Sequence, residues 1–178
     1  NIYGVHYGCE LTLPSMLQRG RGHIVNIASS AGKGGYPGGA TYCGTKHYVV
    51  GMSEALRWET RGTGVEISCV MPVVVQTELG SGLPQTRAVK HVQPEDVANE
   101  IVSALKEARF DVYVPRSVGP INQIAAVLPR RGREAIVRAT KADKVLMDID
   151  QNARAAYELR ASHSTTAELA DADSKQLE

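Results

Sequence analysis

A serine, a tyrosine and a lysine within residues 26–46 have the residue types and the spacing of a proton-transfer device. Tyr42 and Lys46 are four residues apart, which on a helix places both side chains on one face, one turn from each other. A lysine ammonium favours the ionised form of a neighbouring tyrosine, and such a tyrosine can donate or accept a proton near neutral pH. A serine hydroxyl facing the pair, from Ser29 or Ser30, could hold a carbonyl or alcohol oxygen. Together these groups suit carbonyl reduction or alcohol oxidation beside a hydride carrier.

The flanking sequence predicts a strand that leads to the serines and a helix that carries the tyrosine and the lysine. Residues 23–28 (HIVNIA) are a short apolar, β-branched run, as expected for a strand buried on both faces. A loop with five glycines follows, and the apolar positions of residues 41–60 then predict a long helix. Reactive crevices of open α/β sheets lie beyond the carboxyl ends of the strands, which is where the two serines fall.

The rest of the chain continues the alternation of helix and strand. Further helices are predicted over 1–18 and 94–108, further strands over 65–71 and 111–115, and helical stretches interrupted by Pro129 and Gly132 over 119–143. This order predicts an α/β fold, a Rossmann-like doubly wound parallel sheet of about three strands with flanking helices. We expect one such domain over residues 1–145. Residues 146–178 are predicted to be an extension that begins as a helix and ends disordered.

Three further motifs accompany the tyrosine and lysine at fixed spacing. Ser29 lies thirteen residues before Tyr42, within the strand pattern IVNIASSAG of residues 24–32. The chain opens with NIYG, and MPVVVQTEL follows the second predicted strand at residues 71–79. With these motifs the sequence resembles the short-chain dehydrogenase/reductase family from residue 1 to about residue 115.

The resemblance assigns a role to each residue of the device. Tyr42 would be the general acid or base, and Lys46 would lower the tyrosine's pKa and hold the nicotinamide ribose. Spacing selects Ser29 to bind the substrate oxygen and leaves Ser30 to the turn. Asn1 would hold the water of a proton relay to the lysine, although as a terminal residue it could equally fray. The implied substrate is a secondary alcohol or a ketone.

The segment after the second strand is expected to contact the cofactor, which the resemblance gives as NAD or NADP. Pro72, Val75 and Thr77 match the family's nicotinamide-contacting motif, while Val73 replaces its usual glycine. Thr77 could instead cap a helix, as threonine often does. Residues 78–92 would cover the substrate pocket, and their mixture of apolar and basic side chains does not identify the substrate, for which a medium-sized apolar alcohol or ketone is the working expectation. Those side chains are Leu79, Leu83 and Val89 on one hand and Arg87 and Lys90 on the other.

Other family motifs are missing from the sequence. The glycine-rich phosphate loop, Thr-Gly-x-x-x-Gly-x-Gly, is not found, and neither is the residue that separates NAD from NADP. We therefore expect the chain to be the C-terminal portion of a longer polypeptide whose nucleotide-binding half precedes Asn1. Two alternatives remain. One is a non-catalytic member of the fold used for nucleotide sensing or assembly, and the other is a truncated fragment that is inactive on its own.

Charge and composition exclude several classes of partner. Twenty lysines and arginines against nineteen acidic residues give a net charge of +1, which offers no reason to expect nucleic acid. No apolar run approaches the length of a membrane span, so stable membrane insertion is not expected. The three cysteines are odd in number and lack CxxC spacing, which favours reduced thiols in the cytoplasm over a disulfide framework or a metal site.

Two surfaces keep alternative interpretations. The resemblance implies a homodimer or homotetramer formed through helices 1–18 and 42–60, whereas the apolar cover of the second helix could also be buried within one chain. The basic sequence PRRGR at residues 129–133 follows an apolar run. It is typical of a solvated helix end, with contact to a membrane or an anion as the other interpretation.

Overall fold

Three parallel strands in the order β1-β2-β3 form the sheet of this protein. The structure is a computed structural model that describes residues 1–85 and 90–162. The strands are β1 (Gly22–Ile27), β2 (Val65–Pro72) and β3 (Asp111–Val114). Gly22 pairs with Val65 at one end of the sheet, and Pro72 pairs with Val114 at the other. The predicted α/β fold with three parallel strands and flanking helices is confirmed.

The helices fall close to the predicted positions. They are α1 (Tyr3–Gln18), α2 (Ala40–Glu59), α3 (Pro94–Glu107), α4 (Val118–Val127), α5 (Arg130–Ala139) and α6 (151–162). Pro94 begins α3, as expected for a residue without a backbone N–H. The expected break at Gly132 is wrong, because this glycine lies inside α5. A helical glycine costs only about 1 kcal/mol relative to alanine, and it lets the helix approach Leu128 closely.

Both faces of the sheet are covered because the side chains of the central strand alternate between them. Ile67 and Met71 of β2 point to the face occupied by α1 and α2, where Val49 joins them. Val70 points to the other face and packs with Val112 and with residues of α3. Every residue of β2 except Glu66 is buried. The core is therefore continuous through β2.

α1 and the outer edge of β1 are less buried than the central strand. α1 buries only Cys9 among its sixteen residues, and its tyrosines Tyr3 and Tyr7 are exposed. The edge of β1 that faces away from β2 has no strand partner among the described residues.

None of the helices in the described ranges has the length and apolar character needed to cross a bilayer. The predicted limit between residues 145 and 146 stays a prediction, and residues 163–178, expected to be disordered, lie outside the described residues.

Candidate active site

The turn that follows β1 holds Ser29 in place. Ser29 precedes a short 3-10 turn (Ser30–Gly32), and its Oγ accepts a hydrogen bond of 3.1 Å from the backbone N–H of Ala31. The same hydroxyl donates to the carbonyl of Pro72, at the end of β2, over 3.4 Å. Ser29 is buried, whereas Ser30 only begins the turn. The serine selected by spacing is therefore the one that links the carboxyl ends of two neighbouring strands.

Gly32 brings this turn directly against α2. A Cβ atom at Gly32 would lie 2.7 Å from the carbonyl oxygen of Lys46 and 2.7 Å from a methyl group of Val50. Real Cβ atoms do not come that close to a backbone oxygen, so only glycine allows this approach. The absence of a side chain at Gly32 thus sets the distance between the serine turn and the helix that carries Tyr42 and Lys46.

Lys46 lies between Tyr42 and the end of β1. Its Nζ donates a hydrogen bond of 3.0 Å to the carbonyl of Ile27 and stands 5.8 Å from the centre of the Tyr42 ring. Burial lowers the pKa of the Lys46 ammonium, and the nearby Cys69 opposes that shift. Tyr42 keeps 39% of its surface exposed. One helical face therefore presents an accessible phenol and a partly buried ammonium at the carboxyl end of β1.

The predicted cofactor-contacting residues leave the sheet beside this site. The N–H of Val73 bonds to the carbonyl of Val114 at 2.9 Å, which continues the ladder one residue beyond Pro72. Val75 forms an isolated bridge with Val92. The Thr77 hydroxyl is exposed and makes only a long bond of 3.5 Å to the carbonyl of Val75. It does not cap the turn that follows it, so the alternative role as a side-chain cap is wrong.

Asn1 stands apart from the other predicted site residues. It is exposed and lies two residues before α1 begins. Among the described residues, no hydrogen bond joins Asn1 to Tyr42 or Lys46. Its role in a proton relay stays a prediction.

The chain after α5 returns to the site, which the sequence analysis did not predict. At Gly38, whose φ is +78°, a Cβ atom would lie 2.6 Å from the carbonyl oxygen of Leu146. A methyl group of Leu146 packs on Gly39, the residue before α2. Residues 145–150 therefore rest on the glycine pair that precedes Tyr42. The signal available in the sequence was this glycine pair, because two adjacent glycines often mark a close approach of another segment.

The same C-terminal segment also contacts residues 78–82. The Asp150 N–H donates to the carbonyl of Gly82 at 2.9 Å, and the Arg154 guanidinium donates to the carbonyl of Leu79 at 3.3 Å. We call residues 145–162 the strap, because they connect the loop before α2 with the loop after β2. Of the predicted pocket segment 78–92, residues 86–89, which include Arg87 and Val89, lie outside the described residues.

Comparison with known families identifies the N-terminal half of the chain. Residues 1–88 match the family described as short chain dehydrogenase. The mouse protein 17-beta-hydroxysteroid dehydrogenase 13 is 38% identical over 118 residues, which are 65% of this chain and 38% of that protein. Ketoacyl reductase HetN of a Nostoc species is 39% identical over 112 residues, 59% of this chain and 38% of its own. The chain thus spans about two fifths of the length of these relatives.

Solved structures give the same result. A short chain dehydrogenase/reductase from Burkholderia phymatum in complex with NAD is 25% identical, with a TM-score of 0.57 over 69% of this chain and 53% of its own. A short chain dehydrogenase from Burkholderia cenocepacia in complex with NADP has a TM-score of 0.59 at 21% identity, and it covers 71% of this chain and 50% of its own. The second likeness concerns the fold alone.

Proposed function

From a chain whose residues 1–88 are homologous to short-chain dehydrogenases, we propose an oxidoreductase that transfers hydride between NAD or NADP and a secondary alcohol or ketone. The observation that supports it most is the position of Lys46, whose Nζ is bonded to the end of β1 and lies 5.8 Å from the Tyr42 ring. The alternative of a non-catalytic nucleotide sensor has no need of this arrangement.

In the proposed reaction Tyr42 gives a proton to the carbonyl oxygen of a ketone, or removes one from an alcohol. The Lys46 ammonium lies 5.8 Å from the centre of the Tyr42 ring and would offset negative charge that develops at the reaction centre. The Ser29 hydroxyl holds the substrate oxygen, and the long bond of 3.4 Å to Pro72 is weak enough to be exchanged for it. Asn1 would hold a water that returns the proton by way of Lys46.

The residues at the carboxyl ends of β1 and β2 fit the nicotinamide end of the cofactor. Lys46 and Tyr42 offer donors to ribose hydroxyls, and the exposed hydroxyl of Thr77 is free to turn toward a carboxamide. Val75 is half-buried and offers apolar surface for the ring, whereas Pro72 is buried at the end of β2. Bound there, the nicotinamide would supply or accept the hydride. That the remaining half of the nucleotide site lies outside this chain stays a prediction.

The rim of the site favours a substrate with an apolar body. Leu79 is 57% exposed and Met147 of the strap is 62% exposed, although both side chains are large and apolar. Exposed apolar groups beside a polar reaction centre suit a ligand whose body is apolar. The name of the mouse relative, a hydroxysteroid dehydrogenase, describes a substrate of this kind for that protein.

Replacement of Tyr42 by phenylalanine tests the function. We expect Tyr42→Phe to lower turnover about 10²- to 10⁴-fold, the usual contribution of a general acid, while nicotinamide fluorescence still reports cofactor binding. The assay follows absorbance of the reduced cofactor with a panel of secondary alcohols and ketones. Tyr48→Phe is the matched control, because Tyr48 lies on the same helix and its hydroxyl contacts His6 at 2.8 Å, outside the site.

Three results are informative. Unchanged turnover in Tyr42→Phe would contradict the proposed role of this residue. Cofactor binding without turnover of any alcohol or ketone by the native protein would favour the nucleotide-sensing alternative. Activity of a longer polypeptide that is lost in the 178-residue chain would favour the interpretation of an inactive fragment.

We also propose a homodimer or homotetramer formed through α1 and α2. A groove of about 720 Å³ runs between these helices and is lined mainly by apolar side chains such as Leu13 and Met52. Trp58 of α2 is 61% exposed. Such unpartnered apolar surface is typical of an interface. Leu17 also lines this groove and is 40% exposed, so Leu17→Asp should convert the oligomer to monomers in sedimentation experiments. A native protein that is already monomeric would contradict the proposal.

A cytoplasmic location is proposed from the thiols. Cys9, Cys43 and Cys69 are all free and buried. Burial raises the pKa of the Cys69 thiol to about 11, so this group stays protonated and unreactive. Three unpaired cysteines are ordinary in a reducing compartment.

A further inference from the structure

An exposed apolar face on α4 lies directly before an exposed basic face on α5. On α4, Ile121, Ile124 and Val127 are 50%, 58% and 83% exposed. Their spacing of three residues places them along one side of the helix. Side chains of this size are seldom left in water as a group, so the face suits an apolar environment.

The basic part of the surface comes from α5 and the turn after it. Residues 129–145 contain six arginines and lysines and only two acidic residues, although the whole chain has a net charge of +1. Glu134 is shared by Arg130, at 3.5 Å, and Arg138, at 3.9 Å. Arg131 and Arg133 are exposed, and in the ranges that the structure describes neither lies within ion-pair distance of a carboxylate. The segment therefore carries uncompensated positive charge.

Chain connectivity keeps the two faces together. Val127 ends α4 and Arg130 begins α5, with only Leu128 and Pro129 between them. Since consecutive Cα atoms are about 3.8 Å apart, the Cα of Arg131 lies within about 15 Å of the Cα of Val127. A partner that covers the apolar side chains thus meets the guanidinium groups as well.

We propose that α4 and α5 bind the surface of an anionic lipid bilayer. Ile121, Ile124 and Val127 would enter the boundary between headgroups and acyl chains, while the arginines contact lipid phosphates. This combination of an apolar side and a basic side matches the two layers of a bilayer surface, one apolar and one negatively charged. The proposal uses none of the residues assigned to the proposed reaction and does not depend on that reaction.

A second copy of the chain is a poorer occupant. In a two-fold interface the same patch of both subunits meets itself, so the arginines of one copy would approach those of the other. Like charges brought together oppose association, whereas the phosphates of an anionic membrane neutralise them. Charge complementarity thus favours the lipid surface over self-association.

Co-sedimentation with vesicles tests the inference. The protein is mixed with vesicles of phosphatidylcholine alone, or of phosphatidylcholine with phosphatidylglycerol, at low and high salt. We expect binding to the anionic vesicles only, weakened by salt because the charges are exposed. Ile124→Asp and Arg131→Glu should each weaken binding roughly tenfold or more, the first by removing an apolar anchor and the second by reversing a charge at the membrane.

Two matched controls lie on α3. Leu105→Asp places the same charge at another apolar side chain, 45% exposed, and Lys106→Glu reverses the charge of an exposed basic residue. Both should bind like the native protein. The inference is overturned if anionic vesicles are bound no better than neutral ones at low salt, or if Ile124→Asp and Arg131→Glu bind like the controls. It is also overturned if the native protein does not bind vesicles and Ile124→Asp abolishes its self-association in ultracentrifugation. That result would show that the apolar face of α4 contacts a second copy of the chain.

Discussion

At the scale of single residues, a buried polar chain links β1 to α2 beneath the candidate site. The Asn26 amide donates to Ser53 Oγ at 2.9 Å, and Ser53 donates to the carbonyl of Val49 at 2.7 Å. Cys9 donates weakly to the Asn26 side-chain oxygen at 3.6 Å. Ser53 is fully buried, so no water replaces its hydroxyl if it is removed.

Ser53→Ala should therefore destabilise the protein by about 1–3 kcal/mol, because the Asn26 amide is left without an acceptor. Urea unfolding measures the effect. Ser15→Ala, at an exposed serine of α1, is the control and should change stability by no more than about 0.5 kcal/mol. Equal stability of the two variants would show that the buried chain contributes nothing.

His23 makes stability depend on pH. Its Nε2 is bonded to Ser68 Oγ at 2.8 Å, and burial lowers the pKa of its imidazole below the usual 6.5, with Glu66 opposing the shift. Below pH 6.5 the unfolded chain therefore takes up a proton that the folded protein resists. The contribution of His23 to stability is complete above that pH and is lost as the pH falls through the lowered pKa.

We expect the free energy of unfolding to fall between about pH 7 and pH 5, and His23→Gln to flatten that part of the profile. Urea titrations at several pH values measure both curves. An unchanged slope in His23→Gln would assign the pH dependence to other groups.

At the scale of elements, the turn Ser30–Gly32 packs on α2 only because Gly32 has no side chain. Gly32→Ala would force a Cβ against the carbonyl of Lys46, so we expect a loss of about 1–3 kcal/mol in stability and a fall in turnover. Gly35→Ala is the matched control in the same loop, because nothing lies within 4 Å of a Cβ at Gly35. Thermal unfolding and steady-state assays of the two variants measure the difference, and equal behaviour would contradict it.

The elements themselves could be predicted because their signals are local. β1 and β2 are short apolar runs, and Pro94 with its acidic neighbours begins α3 as expected. Gly132 misled the prediction because a single glycine costs a helix only about 1 kcal/mol, which is too little to end α5. The spacing of Ser29, Tyr42 and Lys46 predicted the candidate site. The hydrogen bond from Ser29 to Pro72 joins residues 43 positions apart, so no local sequence pattern could predict it.

At the scale of the whole molecule, the strap contacts two segments that each lie more than sixty residues before it in sequence. Leu146 rests on Gly38, and Arg154 reaches Leu79. Arg160 also lies 3.2 Å from Glu78, an exposed ion pair that adds little by itself. The strap thus contacts both the loop before α2 and the loop after β2, and no pattern in its own sequence indicated this.

If the proposed function holds, Met147→Ala should alter substrate preference. We expect kcat/KM for a long-chain methyl ketone to fall about tenfold relative to a short one, the usual effect of one apolar contact in a pocket. Met147 is 62% exposed, so the substitution should not lower the stability of the protein. Val102→Ala, 50% exposed on α3, is the control. A ratio unchanged in Met147→Ala would show that the strap does not touch the substrate.

The order of the strands has a consequence for how the chain acquires its fold. The residues that pair between neighbouring strands are more than forty positions apart in the chain, as for Gly22 with Val65 and Cys69 with Asp111. Each pairing must close a long loop before any of its contacts form, and such long-range topologies fold slowly. On a ribosome that adds about 5–20 residues per second, several seconds pass between the synthesis of β1 and that of β2. During that time the edge of β1 that later pairs with β2 has no strand partner, and α1 buries only one of its own residues even in the finished structure.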